Sequence, residues 1–529
     1  MNKYIKCFFT LIFILSAGII NADEPYSIQL EQMTIPGSPK IHSFAFAEYN
    51  GKWLFIGGRT NGMHGFDAAT AFPEQYSNTN IFVVDPVASQ TFSRSLFTDL
   101  NSAVASPLRS TNMQYYFDGT KLYIIGGYGY DSLFSDFVTF PKLTVVDVNQ
   151  VIQAVVNGTS VSPYIRQITD ERMRVCGSEI QKIDDYFYMA GGHIFTGAYS
   201  NISNDQVYTN EIRRFKINDN GVNVSISDYT SYTDTVEFHR RDMNLVPAIR
   251  PDGVSQYIIL YGGVFRSYAD LPFQNPIYID ANGAVTDYGF EQKMSQYTCA
   301  NLSAFNSVNG SMHTTFFGGT SLYYYNESLH QQVRDSLVPF INDITTLTKN
   351  SNGASVENIS PTVMPALLGT NAKFILSSSI PHYSNGVIKL NEISGNTFAG
   401  YIFGGIRAYL PNNTPSFPSE YIFRVYINPV PIGIQPVSGN VPESFRLGQN
   451  FPNPFNPVTK IKFEVPASGN VRLAVYNSLG NEVAVIADQK MNPGVYQTEF
   501  SAEGLSSGVY YYKLTSGNFS ETKKMLLLK

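Results

Sequence analysis

Two adjacent glycines close a short apolar run six times in this chain, at Gly57-Gly58, Gly126-Gly127, Gly191-Gly192, Gly262-Gly263, Gly318-Gly319 and Gly404-Gly405. The runs before them lie at 53–56, 122–125, 186–190, 257–261, 314–317 and 401–403. One doublet means little, because glycine ends many strands. Six at intervals of roughly 55–85 residues mark an internal repeat. The segments after the doublets repeat too. A polar, aromatic loop leads to a second β-rich run, at 80–84, 143–146, 211–217, 276–279, 343–349 and 421–427. Several of these runs end near Asn220-Gly221, Asn282-Gly283 or Asn352-Gly353. Asn-Gly between β-rich runs signals a hairpin, because both central residues of its turn need positive φ. A fourth β-rich run comes next, as at 224–227 and 356–359. Each unit is therefore expected to be a four-stranded antiparallel meander.

Six such meanders imply an all-β chain whose first four-fifths, 23–430, is a six-bladed β-propeller. The order of apolar strand, Gly-Gly, loop, strand and turn resembles the kelch repeat over 26–427. The repeats are longer than usual for that family, and its last-strand Trp is missing; Phe92 alone stands near that place. The sixth unit stops after its third strand, at Ile427, before Pro429 and Pro431. The segment 26–34 has no partner of its own and is expected to supply the missing outer strand. Closure of that kind leaves no long unpaired edge.

Met1 is followed by Lys3 and Lys6, an apolar run over 7–20 and then Asn21-Ala22. This pattern predicts a secretory signal peptide, 1–22, cleaved after Ala22. No later segment is long and apolar enough to span a bilayer as a helix, so none is expected after signal removal. The mature chain keeps two cysteines, Cys176 and Cys299. Two thiols are no disulfide scaffold, so stability must come from a large core. Both are read as buried thiols inside inner strands. Charged residues make up 15% of the chain and aromatics 14%. The charge deficit argues against disorder. A net charge of −6 gives no reason to expect nucleic-acid binding.

A Pro- and Gly-containing linker is expected at 431–441. Beyond it, 442–529 reads as short alternating strands between turns, hence a small immunoglobulin-like β-sandwich. Its motifs are Asn450-Phe451-Pro452-Asn453-Pro454-Phe455-Asn456-Pro457, a central Val475-Tyr476-Asn477-Ser478-Leu479-Gly480 and a terminal Lys523-Lys524 before Met525. These closely resemble the C-terminal sorting domain of type A cargo of the type IX secretion system. The resemblance implies recognition by that machinery through Asn450, Pro452, Asn453, Pro454, Phe455, Asn456, Pro457, Lys523 and Lys524. It also implies delivery to the surface or medium of a Gram-negative cell.

The kelch resemblance implies that the loops after the doublets and the starts of the inner strands share one face. Expected inner-strand starts lie about 15–23 residues before each doublet. The loops hold Arg59, His64, His193, Arg266 and Arg407, with aromatics including Tyr76, Phe134, Tyr268 and Tyr409. The strand starts hold His42, Arg109, Arg174, His239, Arg241 and His382. Rings offer flat faces to sugars, and guanidinium forks match carboxylate, sulfate or phosphate. These residues are the candidates for binding a glycan or protein partner. The same arginines can instead bond loop carbonyls between blades. No catalytic set is assigned, and neither a metal nor a cofactor is expected. A Gly-x-Ser-x-Gly elbow, a His-Glu-x-x-His helix and a phosphate loop are all missing from the sequence. A non-enzymatic binder is the leading expectation. The alternatives are a sugar epimerase or lyase with an axial active site, and a purely structural surface component.

Overall fold

The computed structural model describes residues 24–65, 71–200, 206–429, 435–438, 442–491, 493–502 and 505–528. The expected signal peptide, 1–22, and most of the expected linker lie outside them. The chain divides into two compact units, one covering 23–434 and the other the strands from Gln435 onward, with a short stretch of 487–490 grouped with the first.

The larger unit is all-β. It holds six antiparallel sheets of four main strands each, numbered in chain order. Sheet 1 runs Ala45–Tyr49, Lys52–Ile56, Asn80–Asp85, Gln90–Ser95 from inner to outer strand. Sheets 2 to 5 repeat this order, beginning at Gln114–Phe117, Glu179–Ile183, Asn244–Ile249 and Ala300–Asn306. Sheet 6 contains Leu367–Leu376, Thr397–Leu410 and Ile422–Pro429. Its outermost strand is Tyr26–Met33, antiparallel to Ile422–Pro429 from Tyr26↔Pro429 to Met33↔Ile422.

Six hydrophobic clusters lie between successive sheets. Leu54 and Ile56 meet Leu122 and Ile124 between sheets 1 and 2. Ile125 meets Phe187 between 2 and 3, and Tyr188 meets Leu260 between 3 and 4. Ile259 meets Phe316 between 4 and 5, and Phe317 meets Ile402 between 5 and 6. Phe403 stacks on Phe55, 4.2 Å between centroids, and returns the circuit to sheet 1. A second strand packed on both faces has no polar side, which is why 53–56 and 257–261 read as unbroken apolar runs. The outer strand Val224–Thr233 has one free face and is mostly part-buried or exposed.

The doublets are explained by this packing. The first glycine of each presses on the backbone where the next sheet begins. A Cβ on Gly126 would sit 2.0 Å from the Val175 carbonyl oxygen, and one on Gly404 would sit 2.6 Å from that of Ile41. Both glycines have φ in the left-handed region, +64° and +70°, which L side chains rarely adopt. The second glycine donates its N–H across the same junction, from Gly127 to Val175 O at 2.9 Å and from Gly405 to Ile41 O at 3.1 Å.

Three features depart from the sequence reading. Loops expected after the second, third and fifth doublets form small hairpins, Tyr128–Asp131 with Asp136–Thr139, His193–Phe195 with Gln206–Tyr208, and Tyr323–Asn326 with Gln331–Arg334. A helix, Val148–Asn157, packs Val148, Val151, Ile152 and Val155 into the cluster between sheets 1 and 2. In sheet 6 the inner strand begins at Leu367, well before the expected place near His382. The intervening segment instead lends Ile388 and Lys389 to a parallel pairing with sheet 5.

The smaller unit holds two four-stranded antiparallel sheets. Ile461, Phe463 and Val465 of one and Leu473, Val475, Leu514 and Met525 of the other are buried.

Candidate functional site

The doublets turn each chain segment away from the ring at one end of the sheets, and most candidate side chains gather there. Two aromatic–cation clusters result. In the first, the Arg59 guanidinium lies 5.2 Å from the Phe72 centroid, and the His64 ring stacks on Phe72 at 4.8 Å. Tyr199 and Tyr128 close its sides, edge-on at 5.0 Å to His64 and 5.2 Å to Phe72. In the second, Arg241 lies between Phe265 at 5.4 Å and Tyr208 at 5.9 Å. His239 stacks on Tyr208 at 3.8 Å and bonds Asn210 Oδ1 through Nδ1 at 2.8 Å. Asp242 lies 3.7 Å from Arg241 Nε. His193 joins the clusters, its backbone paired to that of Cys176.

The electrostatics make these histidines neutral. Burial, with Arg59 adding, pushes His42 down to about 3. Burial pushes His64 down to about 4, aided by Arg241 and Arg59 against the Gly65 carbonyl. His193 lies well below its ordinary value through burial, then Arg241, then His64. His239 shifts the same way, by burial and then Arg241. The positive charge at this end is therefore carried by arginine, and much of it is tied to the protein's own loops. Arg59 donates to Pro73 O, Arg109 to Tyr130 O and Glu74, Arg174 to Thr139 O and Glu171, and Arg266 to Pro272 O. Arg407 lies farther along sheet 6, held by Glu420 and the Tyr421 hydroxyl.

His382 does not join this group. It lies after the inner strand of sheet 6, with Nδ1 against Ile380 O at 2.7 Å and its backbone bridged to Ile388. The insertion between the first two strands of that sheet carried it away from the expected place. Cys176 and Cys299 are free and buried, but they precede their inner strands rather than lying within them. Burial pushes both thiols up to about 12.

Three large rings of these segments are exposed, among exposed polar side chains such as Ser132, Asp136, Ser267 and Asp270. Phe134 is 76% exposed, at the turn of the hairpin after the second doublet, Tyr268 73%, on the loop after the fourth, and Tyr409 66%, near the end of strand Thr397–Leu410 beyond the sixth. Among the described residues no group of three or more His, Cys, Asp or Glu could hold a metal ion.

Sequence reasoning missed a second feature, in the middle of the ring. A cavity of about 240 Å³ is lined by residues from the inner strands of all six sheets. Lys373 of sheet 6 reaches Glu179 of sheet 3 there, Nζ to Oε1 at 3.1 Å. These sheets are three steps apart in the circuit, so the ion pair crosses the middle. The sequence offers no signal for it: Glu179 has Lys182 in its own strand as a nearer opposite charge, and Lys373 lies far away along the chain.

In the smaller unit the motif residues are structural. Asn450 is buried, takes the Tyr512 hydroxyl on its N–H at 2.8 Å, and donates from Nδ2 to Thr459 Oγ1 at 2.9 Å. Asn453 Oδ1 accepts from Leu526 N at 2.9 Å, and Phe455 N donates to Leu526 O at 3.0 Å. Pro452 O accepts from Thr459 Oγ1, and Pro457 O accepts from Ala502 N. Lys524 O accepts from Gln449 and Asn453, and Lys523 pairs with Glu521. The motif thus fastens the last strand, Phe519–Leu527, to the body of the unit. Residues 449–528 match the family described as the secretion system C-terminal sorting domain. The chain is cargo of the type IX secretion system. Proteins with this tail are exported to the cell surface or extracellular space. No helix among the described residues is long and apolar enough to cross a membrane.

No curated protein matches the chain. A solved structure titled "Structure of YjhT" is similar at 11% identity and a TM-score of 0.41, covering 75% of this chain and 99% of that one.

Proposed function

We propose that 23–430 is a six-bladed kelch-type β-propeller, displayed by type IX secretion, that binds a glycan or protein partner without catalysis. The observation that carries this reading is the exposure of Phe134, Tyr268 and Tyr409, one in each of the segments that follow the second, fourth and sixth doublets. Aromatic anchors dominate interface energetics, and exposed rings of this kind supply them. Arg266 donates to Pro272 O and the Tyr268 hydroxyl, and Arg407, over the Tyr409 ring, is held by Glu420 and the Tyr421 hydroxyl, so these guanidinium groups keep their rings in place. The six-sheet circuit and the strand at 26–33 support the propeller reading. The test compares the mature protein with the triple variant Phe134→Ala, Tyr268→Ala, Tyr409→Ala on a glycan array and in pull-downs from cell-envelope extract. A specific ligand is expected, and the triple variant is expected to weaken it by about tenfold or more, a loss of ~1.4 kcal/mol. An absence of ligand in both assays, or equal binding by the variant, refutes the reading.

A further inference from the structure

We propose that the central cavity is a binding site for one uncharged, hydroxyl-rich molecule of about monosaccharide size. The site is separate from the exposed rings and does not depend on them.

Three properties of the cavity define the ligand. The first is charge. Glu179 and Lys373 are the charged residues in its lining, and they neutralise each other at 3.1 Å. A ligand of either net charge would give up water without gaining a free counter-charge, whereas a neutral ligand avoids that cost. The second is hydrogen-bonding capacity. The Tyr115 hydroxyl, Gln181 Oε1 and Asn301 Oδ1 belong to lining residues and have no protein partner among the described residues. The amide nitrogens of the two amides are already committed, Gln181 Nε2 to Leu245 O at 3.0 Å and Asn301 Nδ2 to Cys299 O at 3.2 Å. That leaves the two amide oxygens as acceptors on lining residues, beside a hydroxyl that can donate or accept. Hydroxyl groups on a ligand match this mixture. The third is shape. Phe46, Tyr116, Phe117 and Phe374 also stand in the lining while packing into the clusters between sheets, as Phe374 does on Phe317, so the walls are held rigid around a small space. A volume of about 240 Å³ is below the ~300–1,000 Å³ of sites for drug-sized ligands. It is also well above the ~30 Å³ share of one water. One ring with its hydroxyls fits between those limits.

The experiment is saturation-transfer NMR on the full mature chain. The neutral probes are glucose, galactose, mannose, fucose, xylose and N-acetylglucosamine. Glucuronate and glucosamine are their charged counterparts. At least one neutral sugar is expected to receive saturation, and more strongly than either charged probe. Asn301→Leu and, separately, Gln181→Leu fill the cavity and remove an acceptor. Each is expected to weaken that sugar about tenfold or more, while Phe134→Ala among the exposed rings leaves it unchanged. The fluorescence of Trp53, buried in sheet 1, shows that each variant is folded. The proposal is overturned if no neutral sugar binds, if a charged probe binds better, or if folded Asn301→Leu and Gln181→Leu variants bind as the parent does. Loss of sugar binding in Phe134→Ala alone would assign the sugar to the exposed rings and overturn it as well.

Discussion

The ion pair across the ring offers a quantitative test of how the six sheets are held. Glu179 and Lys373 lie 3.1 Å apart, each with a side chain 23% exposed. At an effective dielectric near 20, two unit charges at that separation attract by about 5 kcal/mol. Desolvation takes back several kcal/mol per ion, so the net worth of the intact pair is near zero. Removing one partner is different, because the survivor stays in the cavity without a counter-charge. Lys373→Met is therefore expected to cost about 3–5 kcal/mol, a large share of the 5–15 kcal/mol that stabilises a typical domain. The double variant Glu179→Gln, Lys373→Met is expected to lie within about 1 kcal/mol of the parent, or above it. Urea unfolding monitored by Trp53 fluorescence measures this directly. That tryptophan is the only one in the chain and packs between sheets 1 and 6, so the signal reports the ring alone. A cost below about 1 kcal/mol for Lys373→Met, or no recovery on adding Glu179→Gln, would refute a cavity pair of this kind.

Two other perturbations probe the sheet junctions and the buried carboxyls. Gly126→Ala places a Cβ 2.0 Å from Val175 O at a φ of +64° and is expected to cost about 2–4 kcal/mol, while Gly221→Ala, with nothing within 4 Å, costs about 1 kcal/mol; equal losses in urea unfolding would show that the junction tolerates the methyl. Glu24 is 6% exposed, and burial pushes its carboxyl from 4.5 up to about 8 despite a hydrogen bond to Ser360. The folded state therefore holds a proton that the unfolded chain has lost, and stability should fall as pH rises from about 4.5 through 8. Asp343 and Glu357, raised by burial to about 6 and about 7, act in the same direction. Glu24→Gln should flatten the decline and exceed the parent at about pH 9 by roughly 1–3 kcal/mol; parallel profiles would exclude Glu24 as its source.

The sequence made the strands legible wherever packing forced a pattern. Second strands such as 53–56 are covered on both faces and so are wholly apolar, and the doublets mark where one sheet's backbone touches the next. The inner strand of sheet 6 was not legible, because 377–396 is inserted between Leu376 and Thr397 and breaks the spacing that held elsewhere. His382 was misplaced for that reason. The helix Val148–Asn157 carries its apolar residues at helical spacing, with Gly158 ending it at a φ of 69°. It went unread beside the stronger β signal. The arginines were legible as a cluster, but not their partners: the Pro73, Thr139 and Pro272 carbonyls carry no side-chain signature. The Glu179–Lys373 pair joins residues 194 apart, a proximity that closing the circuit alone creates. The tail was the most legible part, because Asn450, Asn453 and Phe455 each perform a distinct local task in fastening the last strand.

The strand Tyr26–Met33 pairs with Ile422–Pro429, which is made almost 400 residues later. Synthesis therefore imposes an order. The first strand to emerge waits with its edge open until the last strand of the ring exists, and only then does the chain reach the address at 449–528. Any premature stop that deprives the first strand of its mate also deletes the address. Every chain that carries the delivery label consequently possesses all the strands its circuit requires, and the gene's own reading direction acts as an inspection step before dispatch.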